Sequence, residues 1–164
     1  DGNTGMQSDF LRFFIYDLAN QDGVEGYRAL SKSTCLSADV NAAFDPTYAS
    51  AYEAENCSYI NNGVIISKYT GHGGKYDTSD ASAEYMGKIR AMLEKNDILW
   101  QVGELGRVDL GGGGTIAKYV ANMNVDVVDL GVPVLSMHAP FEIVSKTDVY
   151  MAYRAFFAFF EANE

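Results

Sequence analysis

Short apolar runs of strand length alternate with amphipathic helical stretches along this chain, and that alternation limits the available folds more than any other feature. Thr34-Cys35-Leu36, Gly63 to Tyr69, Ile98 to Val102 and Val125 to Leu130 read as strands. Between them, Ser8-Asp9 is placed to cap a helix through Phe10, Leu11, Phe14, Ile15 and Leu18 that Gly23 stops, and its spacing predicts a core-facing element. Ser79 or Asp80 is expected to cap a second helix with Tyr85, Met86, Ile89, Met92 and Leu93 on one face. A short helix follows over Thr115 to Met123. A long one runs from about Thr147 to Ala162, with aromatic residues around so much of its circumference that it must be buried or tucked under a partner. Strands joined through helices of this length build crossover units. The expected fold is therefore three-layer α/β/α with a largely parallel or mixed central sheet, and residues 1–164 form a single unit with no internal boundary.

A chain of 164 residues with 48% hydrophobic content is large enough to bury about 70% of its unfolded surface in one core. Its formal net charge is −10, from 22 acidic and 12 basic residues, and no Lys/Arg-rich run could neutralise a row of phosphates. Nucleic acid and anionic membrane are excluded as partners on that ground. The apolar stretches around Phe156 to Phe160 and Val132 to Leu135 are far shorter than the ~20 residues that span a bilayer. Cys35 and Cys57, the only two cysteines, lack metal-motif or disulfide-scaffold spacing, so free thiols in a reducing cytoplasm are expected.

Three features could carry chemistry. The run Gly111 to Gly114 is a loop before a helix, but Thr115 directly follows Gly114 with no Lys between, which argues against a phosphate-binding loop. It is open to two readings: a tight strand-to-helix turn, or the rim of a cleft in which absent side chains leave room for a ligand. His138, in Leu135-Ser136-Met137-His138-Ala139-Pro140, follows an apolar run, where an imidazole could face the crevice of a sheet as a metal ligand or serve structure alone. Asp39, near the end of the first strand in Leu36-Ser37-Ala38-Asp39-Val40, is an isolated carboxylate in an apolar and small-residue setting, suited to capping a loop, to a hydrogen-bonded structural role or to a metal. No GxSxG elbow is present, and neither cysteine has a neighbouring histidine.

Taken together and in order, Ser37 to Pro46, Gly103-Glu104-Leu105-Gly106-Arg107-Val108-Asp109 with Gly111 to Ile116, and Leu135 to Glu142 resemble the aspartyl aminopeptidase family of metallopeptidases, in its bacterial form. The resemblance runs over essentially the whole chain. It implies a hydrolase that removes amino-terminal residues from peptide substrates at a site holding two zinc ions or other divalent metals. Asp39 corresponds to a ligand of one ion and His138 to a ligand of the other. Lys68 lies near a lysine that contacts substrate, and Gly112, Gly113, Gly114 and Thr115 border the cleft.

Gly2-Asn3-Thr4-Gly5 resembles the stretch just after the family's Glu-Glu pair. The resemblance therefore puts the general-base Glu and the remaining ligands upstream, and it makes this chain the carboxy-terminal part of a catalytic domain, inactive by itself. Ala42 stands where eukaryotic members carry a substrate-contacting His, which implies a broader preference than amino-terminal Asp or Glu. Homo-oligomers are implied for the intact enzyme. The competing expectation is a non-catalytic α/β module for assembly or partner binding, motivated by the aromatic last helix.

Overall fold

The computed structural model describes residues 2–73, 75–107 and 109–162. Gly74 of the expected glycine loop and Val108 of the second motif lie outside the described residues. In chain order the elements are α1 (Phe10–Gln21), α2 (Gly26–Ser31), β1 (Thr34–Ala42), a 3-10 turn (Pro46–Ala51), β2 (Val64–Ser67), β3 (Tyr69–His72), β4 (Tyr76–Asp80), α3 (Ala83–Lys95), β5 (Trp100–Val102), α4 (Ala117–Ala121), β6 (Asp126–Leu135), β7 (Ile143–Val144) and α5 (Lys146–Glu161). The main sheet has the order β1-β6-β2-β5, with β7 added to β6. The pairs β1/β6 and β2/β5 are parallel, and β2/β6 and β6/β7 antiparallel. β3 and β4 form a separate hairpin.

Alternation along β6 explains how one strand serves two faces. Val128 and Leu130 join Val64, Ile66, Tyr85, Ile89 and Leu93 in the larger core, which α3 and α5 cover. Val127 points to the other face, into a smaller core with Leu30, Ala117, Val120 and Val125. Beyond Val127 that second face turns polar, through Asp129 and then Gly131, and there the cavity described below opens. The three-layer reading holds. Helix α5 settles onto the sheet through small residues, Ala152, Ala155 and Ala158, all buried, with Asp148 fully buried in its first turn. Asp148 accepts the backbone N–H groups of Asn61 (2.7 Å) and Gly63 (2.8 Å), which ties the start of the helix to the turn that feeds β2.

Several sequence expectations are corrected. Helix α1 faces the core only in part: Ile15 and Tyr16 pack half-buried against the smaller core, while no residue of the helix is fully buried and Phe10, Phe13, Phe14 and Leu18 are exposed. The expected capping pair divides: Ser8 Oγ accepts the Phe10 N–H at 3.3 Å, while Asp9 makes no side-chain cap and pairs with Arg12 (2.7 Å). The segment read as a loop after Tyr69 is strand β3, and β4 was not anticipated. Their ladder uses backbone groups of Thr70 and His72, for which glycine-rich composition gives no signal. Ser82, not Ser79 or Asp80, caps α3, accepting from Tyr85 N–H at 3.1 Å, because residues 79 and 80 are still in β4. The fourth expected strand does not stop at Leu130 but continues to Leu135. Pro133 is tolerated there because β2 pairs with β6 only over residues 129–131, leaving no ladder bond on that side for the proline to break. Half of the expectation for α5 is met: one face is buried, while Tyr150, Tyr153, Phe157 and Phe160 remain 53–69% exposed. Both cysteines are free, and no described helix is long and apolar enough to cross a membrane.

Candidate metal centre and substrate cleft

Parallel pairing sets Asp39 in the later half of β1 and His138 in the turn beyond the carboxyl end of β6. β1 and β6 run side by side in register, with Asp39 opposite Gly131, and His138 follows three residues after β6 ends. Gly131 is the residue that permits this register. A Cβ at that position would stand 1.3 Å from the Asp39 carbonyl oxygen, so only glycine lets the two backbones approach. Asp39 is exposed, not set in an apolar pocket, and its Oδ1 accepts the N–H of Val40 at 2.7 Å.

His138 is held by its backbone. It has a φ of 66°, two residues after Ser136 at 59°, so two side chains occupy the left-handed region within one short turn. Glu142 Oε1 accepts the His138 N–H at 2.6 Å, and Ala139 N–H closes the turn on the Ser136 carbonyl at 3.0 Å. Left-handed backbone costs a non-glycine residue about 1–2 kcal/mol, a cost that the Glu142 and Ser136 hydrogen bonds offset in this turn.

The glycine run is built into a wall. Gly112, at φ 102°, bridges to His72 of β3, and a Cβ on it would meet the Gly71 carbonyl oxygen at 1.8 Å. The Gly111 carbonyl accepts from Gly73 N–H at 2.8 Å. Gly113 lies against Leu105, and a side chain at Gly114 would meet only open space. Thr115 turns inward: its Oγ1 sits 3.3 Å from Thr70 Oγ1 and accepts the Ala117 N–H at 3.2 Å. The expected metal ligand Asp39 and the expected cleft residue Thr115 line one cavity, while Gly112 lines a smaller neighbour beside Glu104 and Tyr69. Lys68 stands apart from both, paired with Asp80, which also takes Lys75 at 2.7 Å.

The cavity shared by Asp39 and Thr115 contains residues that sequence reasoning missed. Asp129 and Asn41 line it, each only 7% exposed. Burial pushes the Asp129 carboxyl pKa up, the Ser37 and Thr115 hydroxyls oppose that, the charge of Asp39 adds to it, and Thr70 also opposes it. A charged residue inside the run Val127-Val128-Asp129-Leu130 was the one available signal. For Asn41 there was none. Glu104 is the other group that was missed: burial drives its carboxyl up to about 7, with Lys75 and Lys68 pulling down and Asp80 pushing up.

An imidazole and a carboxylate suit zinc, but a zinc ion takes three or four protein ligands. Among the described residues no group of three or more His, Cys, Asp or Glu comes together to hold one. The donor types fit and their number does not complete a site.

Comparison with known proteins matches residues 1–160 to the family described as Aminopeptidase I zinc metalloprotease (M18). The chain belongs to the M18 family. A probable M18 family aminopeptidase 1 of Borrelia garinii is 44% identical over 166 residues, covering 98% of this chain and 36% of that protein. The crystal structure of an M18 family aminopeptidase from Thermotoga maritima superposes with a TM-score of 0.92 at 39% identity, over 96% of this chain and 36% of the other. That of aminopeptidase I from Clostridium acetobutylicum gives 0.89 at 45% identity, over 97% and 35%. The chain thus spans little more than a third of the length of these M18 relatives. The sheet and helices described above match the M18 aminopeptidase structures, and the α/β expectation is met with the family expectation.

Proposed function

We propose that this chain carries one part of the catalytic centre of an M18 aminopeptidase that hydrolyses amino-terminal residues from peptides at two zinc ions in the cytoplasm. The observation that supports the reading is the glycine-dependent register of the adjacent parallel strands β1 and β6, with Asp39 in the later half of β1 and the strained His138 turn beyond the carboxyl end of β6. In this reading Asp39 binds one ion and His138 the other. Glu142 orients His138 through its backbone N–H, and Gly131 sets the height of Asp39. Gly112, Gly113, Gly114 and Thr115 form the wall of the substrate cleft, and Lys68 meets a substrate group only after yielding Asp80. Zinc, when bound, supplies Lewis acidity toward the scissile carbonyl and acidifies water. Two ligands do not hold two ions, so the other donors and the general base come from outside these residues, and the chain alone is inactive.

Exposed rings along α5 favour a second element of the proposal, homo-oligomeric assembly. Tyr150, Tyr153 and Phe157 stack in sequence at centroid distances of 6.3 and 6.2 Å on the solvent side. A purely non-catalytic assembly module is the alternative that this face supports.

Calorimetric titration of zinc into the intact enzyme and its Asp39→Ala and His138→Ala variants tests the site. Each variant is expected to lose high-affinity zinc and at least a hundredfold in peptidase activity. Unchanged zinc stoichiometry and turnover in both would sink the assignment and leave the assembly reading.

A further inference from the structure

The cavity beside Gly131 is rich in acceptors and short of donors. Asp129 Oδ1 and Asn41 Oδ1 are both buried without a hydrogen-bond partner. The Asn41 amide cannot be turned to relieve this. Its Nδ2 donates to Ser67 Oγ at 2.8 Å and faces the Gly103 carbonyl at 3.4 Å, so a flip would set oxygen against oxygen. Ser67 has already committed its proton to the Gly103 carbonyl at 2.7 Å, leaving only a lone pair. Thr70 and Thr115 hydroxyls face one another at 3.3 Å, so one of the two protons is used between them. No lysine, arginine or histidine lines the cavity. Two buried oxygens and three hydroxyls thus surround a space of about 30 Å³, enough for one or two water-sized occupants.

We propose that this cavity binds a monovalent cation, sodium or potassium, through Asp129 Oδ1, Asn41 Oδ1 and the hydroxyl oxygens of Ser67, Thr70 and Thr115. Asp129 Oδ1 is buried without a partner, and the Ser37, Thr70 and Thr115 hydroxyls that act on the carboxylate bring no positive charge to it; one unit of positive charge offsets the burial cost that remains. Oxygen-only ligands of carboxylate, amide and hydroxyl type select a hard ion and not zinc. One buried carboxylate suits a monovalent ion better than a divalent one. The cavity is also lined by Asp39, assigned above to zinc, but the cation site draws its ligands from Asp129, Asn41 and the hydroxyls and uses neither His138 nor any donor from outside the chain.

The test is the thermal midpoint of the protein in sodium, potassium or choline chloride at one ionic strength, with EDTA present so that zinc contributes nothing to the result. Sodium or potassium is expected to raise the midpoint saturably by roughly 2–5 °C over choline. Asp129→Asn should abolish the response, and Thr115→Val, which keeps the carboxylate, should weaken the half-saturating concentration several-fold, so the test survives if the first variant fails to fold. A crystal soaked in thallous salt should show an anomalous peak between Asp129 and Asn41. Equal midpoints in all three salts, an alkali response that both variants retain, or ordered water without an anomalous signal at that position would overturn the proposal. Because the experiment excludes zinc, its failure leaves the aminopeptidase reading untouched.

Discussion

Replacing Gly131 by alanine probes the contact on which the metal-centre reading depends. The added Cβ would begin 1.3 Å from the Asp39 carbonyl oxygen, and real Cβ atoms essentially never come closer than 3.0 Å to such an atom. Separating β1 from β6 by that much stretches the adjacent N–H···O bonds beyond useful range. Losing two ladder bonds at ~1 kcal/mol each, together with the strain of overpacking, amounts to about 3–5 kcal/mol of stability. Gly87 supplies the control. It lies in α3, where an added Cβ meets nothing within 4 Å, and alanine there should stabilise by about 1 kcal/mol because glycine is a poor helix former. Equilibrium urea unfolding of both variants measures the difference, and zinc titration should show Gly131→Ala behaving like Asp39→Ala. If Gly131→Ala unfolds within about 0.5 kcal/mol of wild type with an unchanged slope, the close approach is not required and the reasoning fails.

Asp148→Ala should cost roughly 3 kcal/mol by stranding the N–H groups of Asn61 and Gly63; urea unfolding checks this, and Asp148→Asn should recover part of the loss. Glu104→Gln reads the raised carboxyl. Its folded pKa of about 7 lies above the unfolded value of 4.5, so the stability Glu104 contributes is full below pH 4.5 and is lost as pH rises through 7. Relative to wild type, Glu104→Gln should therefore gain stability over that interval, levelling above pH 7 at about 1–2 kcal/mol once solvent screening of a partly exposed group is allowed for; a pH-independent difference would contradict it. Replacing Tyr153 and Phe157 by Ser should weaken self-association in sedimentation equilibrium while leaving the midpoint of unfolding of the dilute protein within a few degrees, and an unchanged association constant would remove α5 from the assembly surface.

How far the sequence foretold the structure differs from one element to the next, for physical reasons. Helix α3 was legible because Tyr85, Ile89, Met92 and Leu93 follow the helical period and have a sheet to bury against. The same period in α1 fixed its conformation and misled on its burial, since periodicity says which face is apolar and not what covers it. The β3–β4 hairpin is held by backbone bonds and by Thr78 Oγ1 accepting from Thr70 N–H at 2.7 Å, neither of which leaves an apolar pattern. At the site, Asp39 and His138 were found as suspicious polar residues beside strands, but nothing local related one to the other; the family resemblance did. Asn41, Ser67 and Thr115 look like ordinary polar residues until two separate strands, β1 and β2, and the loop before α4 meet.

The position of β1 at the end of the sheet affects how any experiment on this site must be interpreted. β6 lies on one side of it, and among the described residues no strand lies on the other. An open strand edge is a template for another chain, and charge is what keeps such edges apart. Thr34 to Ala42 contains one charged residue, Asp39. Among the described residues, the carboxylate assigned to zinc is therefore also the only charge on that strand edge. Asp39→Ala removes both functions at once, so lost zinc has to be measured on material shown to be free of aggregates before it is credited to a missing ligand.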